Sequence, residues 1–189
     1  MLKSKFEELN ISHILPNAIT FANMALGVIA VYLSMDATPD KIKIASILIL
    51  IAGAADKLDG FVARRLGSTS NFGKELDSLC DLVSFGVAPT LVWWNMSINQ
   101  LGITIALVSL LYISAGAFRL ARFNTNEDKQ YIVGLPITIA GMVIAGKHLL
   151  DISYRLKLIN NGIFNGENLV IALLLSIMMV SNFKTKKPL

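Results

Sequence analysis

The stretch IKIASILILIAGAADKLDGFV (residues 42–62) decides the fold, because it is largely apolar and has the roughly 20 residues that a membrane-spanning helix needs. The whole chain has the same character. Of its 189 residues, 54% are hydrophobic and 16% are charged, and the mean hydropathy is +0.60. Soluble domains usually contain about 25% charged residues. These values argue against an ordinary soluble domain, a disordered chain and a collagen-like chain.

Five further apolar runs accompany this stretch, and we expect each to cross the bilayer as a helix. The links between them are short, which leaves no room for a separate soluble domain. We therefore predict an all-α polytopic membrane protein, a bundle of six transmembrane helices that forms a single domain over residues 1–189. The predicted spans are about Leu15–Ser34, Ile42–Val62, Phe72–Trp94, Ile103–Phe123, Leu135–Leu150 and Leu169–Phe183.

The N-terminal segment LKSKFEELNISHIL (residues 2–15) mixes charged and apolar side chains. We expect it to lie at the membrane interface as a short amphipathic helix. A secretory signal is the competing interpretation of the first span, but no A-x-A-like cleavage site follows it and further spans do. We therefore interpret the first span as a retained helix.

The distribution of Lys and Arg among the links predicts the orientation. With the N-terminus in the cytoplasm, eleven cations lie on the cytoplasmic side and four on the other, while two lie inside spans. We therefore expect a multi-pass protein of the cytoplasmic membrane, with both termini and the link between the second and third spans at the cytoplasmic face. The eleven are Lys3, Lys5, Arg64, Arg65, Lys74, Arg119, Arg122, Lys129, Lys184, Lys186 and Lys187; the four are Lys41, Lys43, Arg155 and Lys157; Lys57 and Lys147 lie within spans.

Cysteine content and net charge argue against several kinds of site. A single cysteine, Cys80, excludes an intramolecular disulfide and a cysteine-rich metal site. The net charge is +4, but the cations are scattered between apolar runs, whereas nucleic-acid binding needs them clustered. We expect membrane lipids, and not nucleic acid, to be the partners of these cations.

Four of the 13 acidic residues lie in or at the ends of two predicted spans. An Asp at mid-membrane costs about 2.5–3.5 kcal/mol on insertion scales, so four unpaired ones would cost up to roughly 10–14 kcal/mol. Intramembrane carboxylates are functional candidates for this reason. The four are Asp56, Asp59, Asp77 and Asp81, called the acid cluster below.

The spacing of the acid cluster predicts a metal site. Asp56 and Asp59 are three residues apart, and Asp77 and Asp81 are four apart, so each pair lies on one helix face. Converging carboxylates repel one another unless a cation lies among them, and Lys57 does not share their faces. Hard divalent ions such as Mg²⁺ or Mn²⁺ prefer carboxylate ligands. Zinc is disfavoured because no His accompanies the acids in the motif, and the one cysteine, Cys80, is expected to be a small packing residue.

Small residues and an arginine accompany these acids. Gly60, Ala63 and Gly73 allow close approach, either for helix packing or for a bulky ligand, and these alternatives stay open. Arg64 can bind phosphate oxygens in a bidentate manner. A carboxylate that is not fully committed to metal, such as Asp81, can act as a general base. Together these groups favour phosphoryl transfer.

These residues together resemble the signature of the CDP-alcohol phosphatidyltransferase family. The resemblance implies a six-helix bundle, usually a homodimer, with an intramembrane pocket that opens to the cytoplasm. It also implies transfer of the phosphatidyl group of a CDP-linked lipid to an alcohol with release of CMP. The matching residues are Asp56-x-x-Asp59-Gly60-x-x-Ala63-Arg64, eight residues, then Gly73-x-x-x-Asp77-x-x-x-Asp81.

The resemblance also implies residue roles. Asp56, Asp59 and Asp77 are expected to bind the metal, and Asp81 to act as the base and to contact a metal as well. The nucleotide and diphosphate are expected to contact Asp56 together with Gly60, Ala63, Arg64 and Gly73.

Other segments resemble the membrane-embedded phosphatidylserine synthases within this family. They are PNAITFAN (16–23), GKELDSLCDLVSFGVAP (73–89), FRLARFN (118–124) and GLP (134–136). Ser78 occupies a position where phosphatidylglycerophosphate synthases often have Pro, which favours serine over glycerol 3-phosphate as the acceptor.

Two pairs of polar residues have alternative interpretations. Arg119 and Arg122 lie three residues apart on the predicted fourth helix and can bind the serine carboxylate or anchor the helix at the interface. Asn17 and Thr20 open the first helix and can contact the CDP-lipid or cap the helix.

Three hypotheses follow from the sequence. The first is a CDP-diacylglycerol or CDP-archaeol serine transferase that uses Mg²⁺ or Mn²⁺. The second is the same chemistry with another acceptor, such as glycerol 3-phosphate, inositol phosphate or an amino alcohol. The third is a small cation transporter, but transporters usually have broken helices in repeated halves, whereas these acids lie in one hairpin.

Overall fold

The computed structural model describes residues 11–125, 131–154 and 163–186. It confirms the all-α polytopic class, and adds one short two-stranded ribbon that the sequence did not predict. The predicted N-terminal amphipathic segment lies mostly outside the described residues. The elements are α1 (Ile11–Ser34), α2 (Pro39–Arg65), α3 (Asn71–Asp81), a π-helical segment (Leu82–Val87), α4 (Ala88–Thr125), β1 (Tyr131–Val133), α5 (Ile137–Tyr154), α6 (Ile163–Val180) and β2 (Lys184–Lys186).

Local sequence signals define the short link between α2 and α3. Pro39 lies in the first turn of α2, where its missing N–H is harmless. Gly67 ends the helix with φ +62°, a conformation that glycine adopts without a steric cost. Ser70 caps α3, because its hydroxyl accepts a hydrogen bond from the Gly73 N–H at 2.9 Å. This compact link keeps the two acid pairs close together.

The helix α4 changes direction within its length. A straight helix of its 38 residues would extend about 57 Å. Asn124 near its end nevertheless donates to the Ser78 hydroxyl of α3, at 3.0 Å. The chain must therefore double back, and the two arms on either side of the bend count as separate candidate membrane spans: Asn71–Ser97, which comprises α3, the π-helical segment and the start of α4, and Gly102–Thr125. They correspond to the predicted third and fourth spans.

Three described segments are long and apolar enough to cross a membrane, namely Ile14–Ser34 and the two arms above. Phe164–Val180 is apolar but shorter. The helices α2 and α5 carry charged residues inside their sequence, and their membrane crossing stays a prediction. The protein is thus a polytopic membrane protein in which some helices are long and apolar and others are shorter or carry charged residues.

The helix α1 packs next to the helices that carry the acid cluster. It packs along α2 and also contacts α3 and the π-helical segment, while α5 packs on α2 and α4 on α6. Trp93, Tyr112 and Phe85 are fully buried between these helices. Many large apolar residues are exposed instead, Ile103 by 75% and Ile177 by 66%. Such surfaces are unfavourable in water and are expected against lipid.

The last helix begins six residues before the predicted start at Leu169. The polar sequence FNGEN (residues 164–168) lies just before that predicted start. In the structure Asn165 is fully buried, and its side-chain oxygen accepts hydrogen bonds from Trp93 Nε1 at 3.1 Å and Ser97 Oγ at 2.6 Å. These hydrogen bonds satisfy the buried side chain of Asn165, so this polar residue can lie inside the bundle as part of α6.

Candidate active site

Three carboxylates of the acid cluster meet where α2 faces α3. One oxygen from each of Asp56, Asp59 and Asp77 lies within 4.8 Å of the others. Asp59 is buried, and Thr20 Oγ1 of α1 lies 2.8 Å from its Oδ2. The convergence predicted from spacing is confirmed for these three.

The same three residues fit a hard divalent metal. Their donors are all carboxylate oxygens, the ligand type that Mg²⁺ and Mn²⁺ prefer. Asp77 Oδ1 is buried and has no hydrogen-bond partner among the described residues. Within the described residues, no Lys or Arg nitrogen lies within 4.0 Å of an acid-cluster oxygen. A buried oxygen without a partner, and several carboxylates without an ion-paired Lys or Arg among the described residues, both favour a bound cation.

Asp81 lies beside this trio, on the buried side. Its Oδ1 accepts from Asn23 Nδ2 at 3.3 Å, and its Oδ2 accepts from Thr138 Oγ1 at 3.4 Å. Asp56 lies close to both Asp81 and Thr138. The metal role predicted for Asp81 stays a prediction, because its oxygens are not part of the three-oxygen group. Its two protein donors instead suit a base.

A cavity of about 280 Å³ adjoins the acids and contains most of the residues predicted to bind the CDP-lipid. Asp56 is the one predicted residue absent from its lining. The predicted residues in the lining are Asn17, Thr20, Gly60, Ala63, Arg64 and Gly73, and the lining also includes Asp59, Asp77, Pro16, Ser68, Thr69, Ser70, Lys74 and Phe123.

The glycines of the cavity permit close contacts. A Cβ on Gly60 would lie 3.3 Å from a terminal nitrogen of Arg64, so the small residue gives the guanidinium room above the helix. A Cβ on Gly73 would lie 3.1 Å from Ser70 Oγ and 3.4 Å from Asn17 Oδ1. Both glycines therefore keep polar groups close to the cavity wall.

The structure separates the two arginines that were predicted to bind serine. Arg119 is buried, lies close enough to Asp81 and Asp56 to interact electrostatically, and has an Nε without a hydrogen-bond partner among the described residues. Its guanidinium lies 5.1 Å from the ring centroid of Phe123, which lines the cavity. Arg119 is thus a candidate for binding an anionic group next to the acid cluster.

Arg122 has a different environment, which favours the alternative that it anchors the helix, and its role in serine binding stays a prediction. Its Nη1 donates to the Val180 carbonyl and to Asn182 Oδ1, at 2.9 and 3.1 Å. Its Nη2 lies 3.0–3.3 Å from the carbonyls of Val133, Met179 and Ser181. These contacts connect α4 to the end of α6 and to β1, which is a structural role.

Sequence reasoning missed several residues of the site. Asn23 and Thr138 contact Asp81, but each lies far from it in the chain and neither belongs to the signature. Asn23 is the last residue of PNAITFAN and Thr138 follows GLP by two residues, but no role was predicted for either. Lys74 of α3 and Phe123 near the end of α4 also line the cavity.

Comparison with known proteins agrees with this geometry. The family model described as CDP-alcohol phosphatidyltransferase matches residues 13–180. The chain is 34% identical over 169 residues to a CDP-diacylglycerol–serine O-phosphatidyltransferase of Methanocaldococcus jannaschii, covering 89% of this chain and 72% of the relative.

Two further relatives are similar. A protein of the same name from Helicobacter pylori strain J99 is 36% identical over 184 residues, covering 93% of this chain and 73% of the relative. An archaetidylserine synthase of Methanothermobacter thermautotrophicus is 38% identical over 139 residues, covering 71% and 58%.

Proposed function

The chain belongs to the CDP-alcohol phosphatidyltransferase family, and from this premise we propose that it transfers the phosphatidyl group of a CDP-linked lipid to L-serine. The lipid donor is CDP-diacylglycerol or CDP-archaeol, and CMP is released. The single observation that carries the proposal is the acid cluster at the wall of a cavity, with the buried Arg119 close to Asp81 and Asp56. The names of the relatives above support serine as the acceptor.

In this proposal Asp56, Asp59 and Asp77 hold Mg²⁺ or Mn²⁺, and Asp81 is the base. The metal supplies positive charge that neutralises the diphosphate and stabilises the leaving CMP. Asn17, Thr20, Gly60, Ala63, Arg64 and Gly73 bind the cytidine and diphosphate portion of the donor, since they line the cavity together.

The reaction is written as a direct displacement. Asp81 accepts the proton of the serine hydroxyl, and the serine oxygen forms a bond to the phosphorus that bears the lipid. The bond between this phosphorus and the oxygen of the CMP phosphate breaks. Arg64 balances part of the charge on the departing nucleotide.

Arg119 binds the serine carboxylate. Its guanidinium is buried beside the acid cluster, and its Nε has no protein acceptor among the described residues. A planar guanidinium and a carboxylate form strong paired hydrogen bonds. This arrangement would bring the serine hydroxyl next to Asp81.

We also propose that the protein lies in the cytoplasmic membrane as a homodimer, with both termini and the cavity at the cytoplasmic face. The excess of Lys and Arg on that side supports the orientation. The end of α2 and the start of α3, which bound the cavity, lie on the side with this excess.

An acceptor panel tests the function. Purified protein in detergent, CDP-lipid and Mg²⁺ or Mn²⁺ are incubated with serine, glycerol 3-phosphate, inositol phosphate or ethanolamine, and CMP release is measured. We expect release with serine. Release with glycerol 3-phosphate or another acceptor, and not with serine, would move the protein to the second hypothesis, and absence of release with every acceptor would reject the transferase.

Two arginine variants test the acceptor site. Arg119→Ala should raise the KM for serine at least about 10-fold while the KM for CDP-lipid stays within twofold, because a charge-assisted pair contributes about 1.5–3 kcal/mol. Arg65→Ala is the matched control, since Arg65 is exposed and does not line the cavity. An unchanged serine KM in Arg119→Ala would show that Arg119 is only an anchor.

A further inference from the structure

Both oxygens of the proposed base are held by side chains from helices that lie far away in sequence. Asp81 Oδ1 accepts from Asn23 of α1, and Oδ2 accepts from Thr138 at the start of α5. The two donors approach from different helices. A carboxylate with a separate donor on each oxygen has a restricted rotation about its side-chain bonds.

The donor on α1 is itself fixed in place. Asn23 is fully buried, and its backbone carbonyl accepts a hydrogen bond from Ser84 Oγ at 3.0 Å. One turn later Gly27 lets α1 approach this same residue, since a Cβ there would lie 2.8 Å from Ser84 Cα. The contact joins α1 to the π-helical segment that directly follows Asp81.

The donor on α5 is fixed in a similar way. Thr138 is buried in the first turn of α5. Gly141, three residues later, lies against the π-helical segment so closely that a Cβ would be 2.7 Å from Phe85 Cα. Tyr112 of α4 adds a hydrogen bond to the Phe85 carbonyl, at 3.1 Å. Asp81 therefore precedes a segment that three helices hold from different sides.

A π-helical segment has a wider turn than an α-helix and is costly unless the surroundings favour it, and such segments often occur at functional sites. Here it begins at the residue after Asp81. Its contacts with α1, α4 and α5 fix the backbone of the base, and Asn23 and Thr138 fix its carboxylate.

We propose that Asn23 and Thr138 are positioning residues that orient the Asp81 carboxylate toward the acceptor hydroxyl. The proposal rests on the proposed function in that Asp81 is the base, but it does not depend on which alcohol is the acceptor. A misplacement of a reacting group by about 1 Å can cost on the order of 100-fold in rate. Neither residue needs to contact the substrate to have this effect.

Paired variants of Thr138 provide the test. Thr138→Val removes the hydroxyl and keeps the shape, whereas Thr138→Ser keeps the hydroxyl. We expect kcat to fall about 10-fold or more in Thr138→Val, with the KM values for serine and CDP-lipid within twofold of the wild-type values, and Thr138→Ser to keep at least half of the wild-type kcat. Ser176→Ala is the control for loss of a buried hydroxyl, because Ser176 is 8% exposed like Thr138 but donates only to the Ala172 carbonyl of its own helix.

A second variant addresses the other oxygen. Asn23→Ala should also lower kcat about 10-fold without raising either KM. Thermal unfolding in detergent, measured for every variant, separates a catalytic loss from loss of folded protein. Rates are expressed per folded protein.

Several outcomes would overturn the proposal. A wild-type kcat in both Thr138→Val and Asn23→Ala would do so. Equal losses in Thr138→Ser and Thr138→Val would assign the effect to packing, and a raised KM with unchanged kcat would assign it to substrate binding. If serine is not the acceptor, the same variants are measured with the acceptor that the wild type does use, so failure of the serine assignment is distinguished from failure of this proposal.

Discussion

Two groups of acids are enclosed in this bundle, and they differ in what balances their charge. In the acid cluster no Lys or Arg nitrogen of the described residues comes within 4.0 Å of the carboxylates. The second group, called the lysine cluster, consists of Lys147, Asp151 and Glu167. Lys147 forms an ion pair with Asp151 on the same helix and a second with Glu167 of α6, at 3.3 Å. Its charge also lies 4.7 Å from the centroid of the Phe164 ring.

The two clusters are also separated along the bundle. Thr138 at the start of α5 contacts Asp81, whereas Asp151 lies 13 residues later, about 20 Å along the helix axis. Asp151 is 3% exposed, so it is as well buried as Asp59 or Asp81. Burial alone thus does not distinguish the clusters. The ion-paired Lys147 marks the lysine cluster as structural. The acid cluster has Arg119 nearby but no ion-paired cation among the described residues, which marks it as a site for an external cation.

Chelation of divalent metal should separate the two clusters most strongly. We expect EDTA to reduce CMP release below detection and added Mg²⁺ or Mn²⁺ to restore it, because no Lys or Arg nitrogen of the described residues forms an ion pair with the acid cluster. The metal should also raise the melting temperature of the wild type, since a ligand that binds only the folded state stabilises it.

The control for the metal effect is a protein in which Asp56, Asp59 and Asp77 are all changed to Asn. Its melting temperature should not respond to Mg²⁺ or Mn²⁺. Undiminished turnover in EDTA, or an equal metal-dependent shift in the control, would contradict the assignment of these three residues.

Loss of the base should give the next largest effect. Asp81→Asn keeps the size of the side chain and should lower kcat about 100- to 10,000-fold, the range for general acid–base catalysis. The free energy of unfolding should stay the same or rise, because the change removes one of several neighbouring negative charges. CMP release and thermal unfolding in detergent measure both. Wild-type turnover in this variant would remove Asp81 from the base role.

The lysine cluster should show the reverse pattern. Lys147→Met removes the cation and leaves two carboxylates without it, which should lower the free energy of unfolding by about 3–5 kcal/mol. The kcat of the folded fraction should stay within twofold of the wild-type value, since the cluster is remote from the acid cluster. Denaturant unfolding and CMP release measure the two quantities.

Lys41→Met is the matched control for this change. Lys41 pairs with Asp36 at the surface, where the side chains are 44% and 57% exposed. Exposed pairs contribute about 0–1 kcal/mol, so the effect should be several times smaller than that of Lys147→Met. Equal effects of the two variants would contradict the view that burial gives the lysine cluster its structural role.

The sequence predicted the acid cluster well because its information is local. Asp56 and Asp59 share one helix face and Asp77 and Asp81 another, and a short link joins the helices, so spacing is enough to predict that they converge. The cavity residues Gly60, Arg64 and Gly73 lie in the same short segment. For the same reason the helical class followed directly from the apolar runs.

Other features depend on contacts between distant parts of the chain and could not be read from spacing. The π-helical turn after Asp81 packs closely against Gly27 and Gly141, and an apolar run in the sequence gives no sign of it. Asn165 resembles a loop residue in the sequence, but its partners are Trp93 and Ser97, about 70 residues earlier. A buried polar residue is identified only once its partners are known.

Arg122 shows both the use and the limit of sequence spacing, and its substitution should have the smallest effect of those predicted here. Its spacing from Arg119 predicted a shared carboxylate site, but its donors contact carbonyls at the end of α6 and at β1. Arg122→Ala should therefore lower the free energy of unfolding by about 0.5–1.5 kcal/mol, because it removes hydrogen bonds to carbonyls that are only partly buried. The serine KM should stay within twofold of the wild-type value, in contrast to Arg119→Ala. A serine KM raised as strongly as in Arg119→Ala would return Arg122 to the acceptor site, because a residue that only anchors α6 cannot change acceptor affinity alone.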